Sequence, residues 1–159
     1  MKRQLVFIPV AADELGALTG EPVLSDRSAH TVTPELLDEL GYDASESEDA
    51  EYAALVLASV AGLAAHGVRL VIVAEVDPSL VSPGDDVANG QVRLTSVPQA
   101  SMTAWFSEEP GTDVADAAAI AKGMTIDQAW EQPQVQELLA EHDLLWNDVV
   151  EYRRDDDDA

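Results

Sequence analysis

The 159-residue chain has no cysteine. That excludes a disulfide scaffold, a thiolate metal site and a cysteine nucleophile, and it fits a reducing compartment. Basic residues are scarce, with 8 Lys and Arg against 31 Asp and Glu and a formal net charge of −23. Residues 28–68 contain no Lys or Arg at all. Without a basic face the chain has nothing to track a phosphate backbone or an anionic membrane, so direct nucleic-acid and membrane binding are excluded as expectations. No apolar run approaches the roughly 20 residues of a membrane span. "YAALVLASVAGLAAHG" comes nearest and is too short. The opening "MKRQLVFIPVAADELG" has an apolar run of only about six residues before acids follow, which is too short for a secretory core. The expected location is the cytoplasm.

Several chemical signatures are also absent. "GxxxxGK[ST]" does not occur, and Lys122 precedes Gly123 instead of following a glycine turn. No "GxGxxG" follows the first apolar run, and "AADELG" in its place would repel a pyrophosphate. "GxSxG" is missing, so a nucleophile elbow is not supported. The three histidines, His30, His66 and His142, form no "HxH", "HExxH" or "HxxxH". Asp85 and Asp86 in "SPGDDVANG" lack the pattern and closing Glu of a calcium loop. No metal and no cofactor is expected. Pairs of carboxylates are inevitable among so many acids and diagnose nothing.

What is present is an alternation of helical and strand patterns. "QLVFIPV" (4–10) is apolar without alternation, the mark of a strand covered on both faces. "AADELGALTG" reads as a short helix ended by Gly20. "HTV" suggests a short strand. Thr33, Pro34, Glu35 and Gly41 supply cap, first turn and stop for a helix within 33–41. The stretch 43–67 is the longest helical signal, with Ser45 or Ser47 as cap, acids in its first turns and Gly67 at its end. Its Ala, Gly and Ser residues predict close approach to a sheet. "VRLVIVAEV" (68–76) is apolar on both faces and reads as a central strand. "QVRLTSV" (91–97) and "SMTAWFSEE" (101–109) read as two more strands, and "DPSLVSPGDDVANG" between them and 68–76 as a loop. Helices follow at 112–123, in "TIDQAW" and from Pro133. Residues 143–152 suit a final helix or an edge strand equally.

The expected fold is mixed α/β (α+β): one mixed sheet of four or five strands with packed helices. Residues 1–152 form a single globular domain, and "RRDDDD" leads into a disordered acidic tail over 153–159.

The segments "LVFIPV", "AHTVTPELL", "EDAEYAALVLASVAGLAA", "VRLVIVAEVDPSLVSP", "QVRLTSV", "HDLLW" and "VVEY" occur here in order. In them the chain resembles an uncharacterised family of small, acidic, alanine-rich proteins from actinobacteria, from about residue 5 to residue 152. The resemblance implies a cytoplasmic actinobacterial protein and no mechanism. Asn147 after Trp146 departs from it, because relatives are expected to carry a tyrosine there.

The remaining candidates are individual side chains. His142 lies between Glu141 and Asp143, which suits an acid–base role, and Trp146 follows one helical turn later. The structural alternative is a histidine packed beside that indole. Tyr52, near a helix start, and His30, before the "VTP" cap, are candidate binding residues together with Trp146. Glu75 and Asp77 end the best strand, where ligands gather in parallel sheets. Three functions follow as expectations. The first is a non-enzymatic cytoplasmic binding or regulatory domain that uses its acidic surface on a basic protein. The second is a small-pocket enzyme with acid and base groups near Glu75, Asp77 and His142. The third is a nucleic-acid mimic that presents the acids of residues 35–51 to a basic partner.

Overall fold

The computed structural model describes residues 3–19 and 24–150. The expected stop at Gly20 and the acidic tail lie outside the described residues.

Among the described residues, seven strands form one sheet: β1 (Gln4–Pro9), β2 (Leu24–His30), β3 (Val71–Val76), β4 (Val81–Pro83), β5 (Gln91–Val97), β6 (Met102–Ser107) and β7 (Leu145–Asp148). Their order is β4-β5-β2-β1-β3-β6-β7. Every neighbouring pair is antiparallel. The expectation of four or five strands in a mixed sheet is corrected on both counts. β2 reads "LSDRSAH", without apolar alternation, so the pattern hides it although it lies inside the sheet. β4 and β7 have three and four residues, too few to show a period. The choice left open for the closing segment falls to an edge strand over β7.

Among the described residues, five α-helices follow the expected signals: α1 (Pro34–Leu40), α2 (Ser47–His66), α3 (Ala115–Ala121), α4 (Ile126–Trp130) and α5 (Pro133–Glu141). Thr33 caps α1 by accepting from the Leu36 amide, and Gly41 ends it in the left-handed conformation. Asp43 and Glu46 form a reciprocal capping box on a single 3-10 turn ahead of α2. That box takes the capping role expected of Ser45 or Ser47. The segment Ala12–Thr19, expected as a helix, is a run of 3-10 turns.

β1 and β3 are apolar on both faces because the sheet is covered on both. Phe7, Val71 and Val73 join Leu36, Leu55, Ala58 and Leu63 in one core beneath the helices. Val6, Ile8, Ile72 and Ala74 meet Ala17, Leu18 and Val149 in a second core on the opposite face. α2 carries the chain over β1 to β3, and its small residues permit close approach as expected. A Cβ on Gly62 would stand 3.0 Å from the Val68 carbonyl oxygen and 3.2 Å from Pro9 Cβ.

Candidate functional site

Tyr52 and Trp146 come together. Tyr52 projects from the first half of α2 and Trp146 from β7, and each is 60 % exposed. Both line one groove of about 380 Å³ between α2 and the sheet. Its floor is Leu5, Phe7, Val73, Ala104 and Phe106, and Leu55 joins the helical wall. The register explains the arrangement. Phe106 pairs across with Trp146 on β7, so the two rings share the helix-side face of the sheet. α2 arrives over the same face through Leu55, one turn after Tyr52.

The rim is acidic. Glu48 and Glu51 line the groove from α2. Leu5 has Glu75 as its cross-strand neighbour, and Ala104 has Asp148, so two more carboxylates share that face. The ion pairs among the described residues are Arg27–Glu14, Arg69–Glu108 and Arg93–Asp26, and none neutralises this rim. Exposed aromatic rings over an apolar floor are costly to leave in water. Burying one such ring under a partner contributes roughly 2 kcal/mol.

The candidate acid–base groups are spread along β3. Glu75 and Asp77 lie at the far end of β3, where both side chains are exposed. Asp77 accepts from the Ser79 amide at 2.9 Å, and that bond holds its carboxyl below the usual range. His142 follows α5 at the opposite end of β3. Its carbonyl accepts from Arg69 Nη2 at 2.9 Å, and the residue lines a small cleft with Asp113, Asp116 and Glu141. At about 3.3 Å per strand residue, the two ends of β3 stand roughly 20 Å apart. The structure therefore does not gather Glu75, Asp77 and His142 into one pocket. The analogy to parallel sheets lapses as well, because every strand pair is antiparallel.

His30 ends β2 and is 1 % exposed. Its Nδ1 lies 2.9 Å from the Asn89 carbonyl oxygen. Asn89 Nδ2 donates in turn to Asp86 Oδ2 at 2.8 Å and to Asp127 Oδ1 at 3.1 Å. This network ties the loop before β5 to the sheet and to α4. Burial pushes the imidazole below its ordinary 6.5, and the neighbouring Asn89 carbonyl and Asp86 charge offset this in part. His30 sits at the centre of that network, away from the groove.

Asn147, where a tyrosine is expected from the resemblance, fastens the edge strand. Its Nδ2 donates to the Trp105 carbonyl at 3.2 Å and to Ser107 Oγ at 3.1 Å, both on β6. These bonds hold β7 in place and so hold Trp146 over the groove.

A larger cleft of about 610 Å³ lies at the other end of α2 among Asp26, Arg27, His66, Asp85, Asp86 and Thr125. Three of its charged side chains already have partners. Arg27 pairs with Glu14, Asp26 with Arg93 at 2.6 Å, and Asp86 receives the Asn89 amide. Partial burial and the nearby Arg27 hold His66 below its ordinary value. Asp26 adopts φ +50, a left-handed conformation uncommon for a residue with a side chain. Sequence reasoning singled out neither this cleft nor the floor of the groove. Leu5 and Phe106 carry only strand signals, and nothing local announces that β6 and β7 will lie beside α2.

Fold and site together define an α+β domain: one antiparallel sheet, helices over one face, and an open aromatic groove where helix and sheet edge part. No helix among the described residues is long and apolar enough to cross a membrane. The chain belongs to the family of unknown function DUF6912, which it matches over residues 4–154. The resemblance to an uncharacterised family, read from the ordered segments, is borne out by that match. No curated protein and no solved structure matches the chain.

Proposed function

We propose that this chain is a cytoplasmic binding domain that takes a basic partner protein in the groove between α2 and strands β6 and β7. The observation that carries the reading is the pairing of Tyr52 and Trp146, both exposed, over a floor of core side chains and within an acidic rim. A partner segment with an apolar side chain for the floor and Lys or Arg for Glu48 and Glu51 matches every wall. The aromatic faces add cation–π attraction to the same groups. Tyr and Trp at the centre of a patch with charges around it are the residues that dominate recognition energies. The net charge of −23 speeds encounter with such a partner and keeps unpartnered copies soluble.

The test is selection from a random displayed-peptide library against the wild-type chain and against Tyr52→Ala and Trp146→Ala. Ligands that combine apolar residues with Lys or Arg, and that both variants lose, are expected. Their binding weakens as salt rises from about 50 to about 200 mM. Recovery of no ligand, or of ligands indifferent to both substitutions, overturns the reading.

A further inference from the structure

We infer that the partner segment binds as an extended strand, added to the sheet along the free edge of β7. This rests on the groove reading above and specifies the backbone form of the ligand.

The sheet ends at β7, whose only neighbour among the described residues is β6. An edge strand offers a row of unpaired amides and carbonyls, and proteins usually blunt such edges with short length, charge, proline or a bulge. The opposite edge follows that habit, since β4 ends on Pro83. β7 is also short, but it has neither proline nor bulge. Its residues are Leu145, Trp146, Asn147 and Asp148, with Leu145 and Trp146 both exposed. The register of β7 against β6 is regular from Leu145 to Asp148, so the edge is presented straight.

The edge and the groove share Trp146. A strand laid beside β7 would run about 4.8 Å away and send alternate side chains to the helix-side face. Those side chains would cover Trp146 and reach toward Tyr52. Backbone bonds would supply affinity, and the groove would select the inward residues.

Charge decides the occupant. A second copy would bring another −23 and set Asp148 and Asp143 against their own kind. A segment that alternates apolar and Lys or Arg residues meets Trp146 with the first set and Glu48, Glu51 and Asp148 with the second. The occupant is therefore a basic, alternating, extended segment of another protein.

The probe is a short synthetic peptide alternating lysine with valine and phenylalanine. It is compared with the same peptide N-methylated at alternate amides on one edge or the other, and with an isomer of equal charge whose apolar residues are contiguous. Titration of the full chain should show the alternating peptide binding best. One of the two N-methylated edges should lose about tenfold or more, as expected when several backbone hydrogen bonds are forfeited. Equal binding by both N-methylated forms overturns strand addition. If that equal binding is still abolished by Tyr52→Ala, the groove reading survives alone. Failure of every peptide in this set, by a chain that does recover library ligands sensitive to Tyr52, also overturns strand addition and spares the groove. Sedimentation of the unliganded chain supplies the last arm: a dimer dissociated by the alternating peptide would place a second copy on β7 and overturn the basic partner.

Discussion

Arg69 and Glu108 form a two-pronged ion pair, with Nε to Oε2 at 2.5 Å and Nη2 to Oε1 at 2.6 Å. The Arg69 side chain is 3 % exposed, and its Nη2 also donates to the His142 carbonyl at 2.9 Å. One guanidinium thus joins the start of β3, the segment after β6 and the end of α5. Removing one partner from a buried pair strands the other charge. Glu108→Ala is expected to cost about 3 kcal/mol of folding free energy by urea denaturation, and adding Arg69→Met to it, which removes the stranded charge, to recover part of that loss. Because His142 leads directly into β7, Glu108→Ala should also speed amide exchange over 145–148 before it does so in β1.

His30 gives the fold a pH dependence of known sign. The folded chain holds the imidazole below its ordinary 6.5, chiefly through burial. The unfolded chain takes up a proton near that ordinary value, whereas the folded chain resists until the pH is lower. Stability from the neutral ring is fully present above about 6.5 and is lost as the pH falls below it. Urea midpoints between about pH 5 and 7.5 should therefore fall more steeply with acid in wild type than in His30→Gln. Comparing the two cancels the relief of carboxylate repulsion, which both chains share. Parallel curves would show that His30 does not titrate with folding.

Gly90 closes the loop beneath that histidine. It has φ +72, and a Cβ there would lie 2.4 Å from the Thr31 carbonyl oxygen and 3.1 Å from Leu36 Cδ2. The neighbour is backbone and cannot swing away, since the Thr31 amide itself donates to the Gly90 carbonyl at 3.0 Å. Gly90→Ala should destabilise the fold by about 2 kcal/mol or more. Gly41, also left-handed but with open space around its Cβ position, should cost about 1 kcal/mol on the same change. Thermal midpoints of the two variants give the comparison.

The readable parts of this chain are those where one physical demand dominates. β1 and β3 announce themselves because burial on both faces leaves no polar position within 5–10 or 70–74. α1 is legible from Thr33 and Gly41, which solve the backbone's unpaired ends. β2 is illegible because its neighbours β1 and β5, not its own side chains, specify it. At the site, Tyr52 stands out beside Glu51, and Trp146 by following His142 at one helical turn. Their meeting does not, because it depends on β7 joining β6, and that joint is set by Asn147 and by the Arg69–His142 bond. Glu75, Asp77 and His142 are read together only if the strands run parallel. The antiparallel order separates them.

Tyr52 and Trp146 face water, so truncating them should leave the fold almost intact. Tyr52→Ala and Trp146→Ala should each change stability by no more than about 1 kcal/mol. Affinity for basic ligands should fall about thirtyfold or more, the loss typical of a central aromatic contact. Large destabilisation by either variant would mean that the rings serve the core and not a partner.

The most direct measurement follows the indole N–H resonances of Trp105, Trp130 and Trp146 while a library-selected basic ligand is added. Trp130 is an internal control, being exposed on α4 and absent from the groove. The Trp146 signal, assigned through Trp146→Phe, should shift with saturation while that of Trp130 stays in place. A shift at Trp130 with Trp146 unmoved would put the ligand elsewhere and contradict the groove reading.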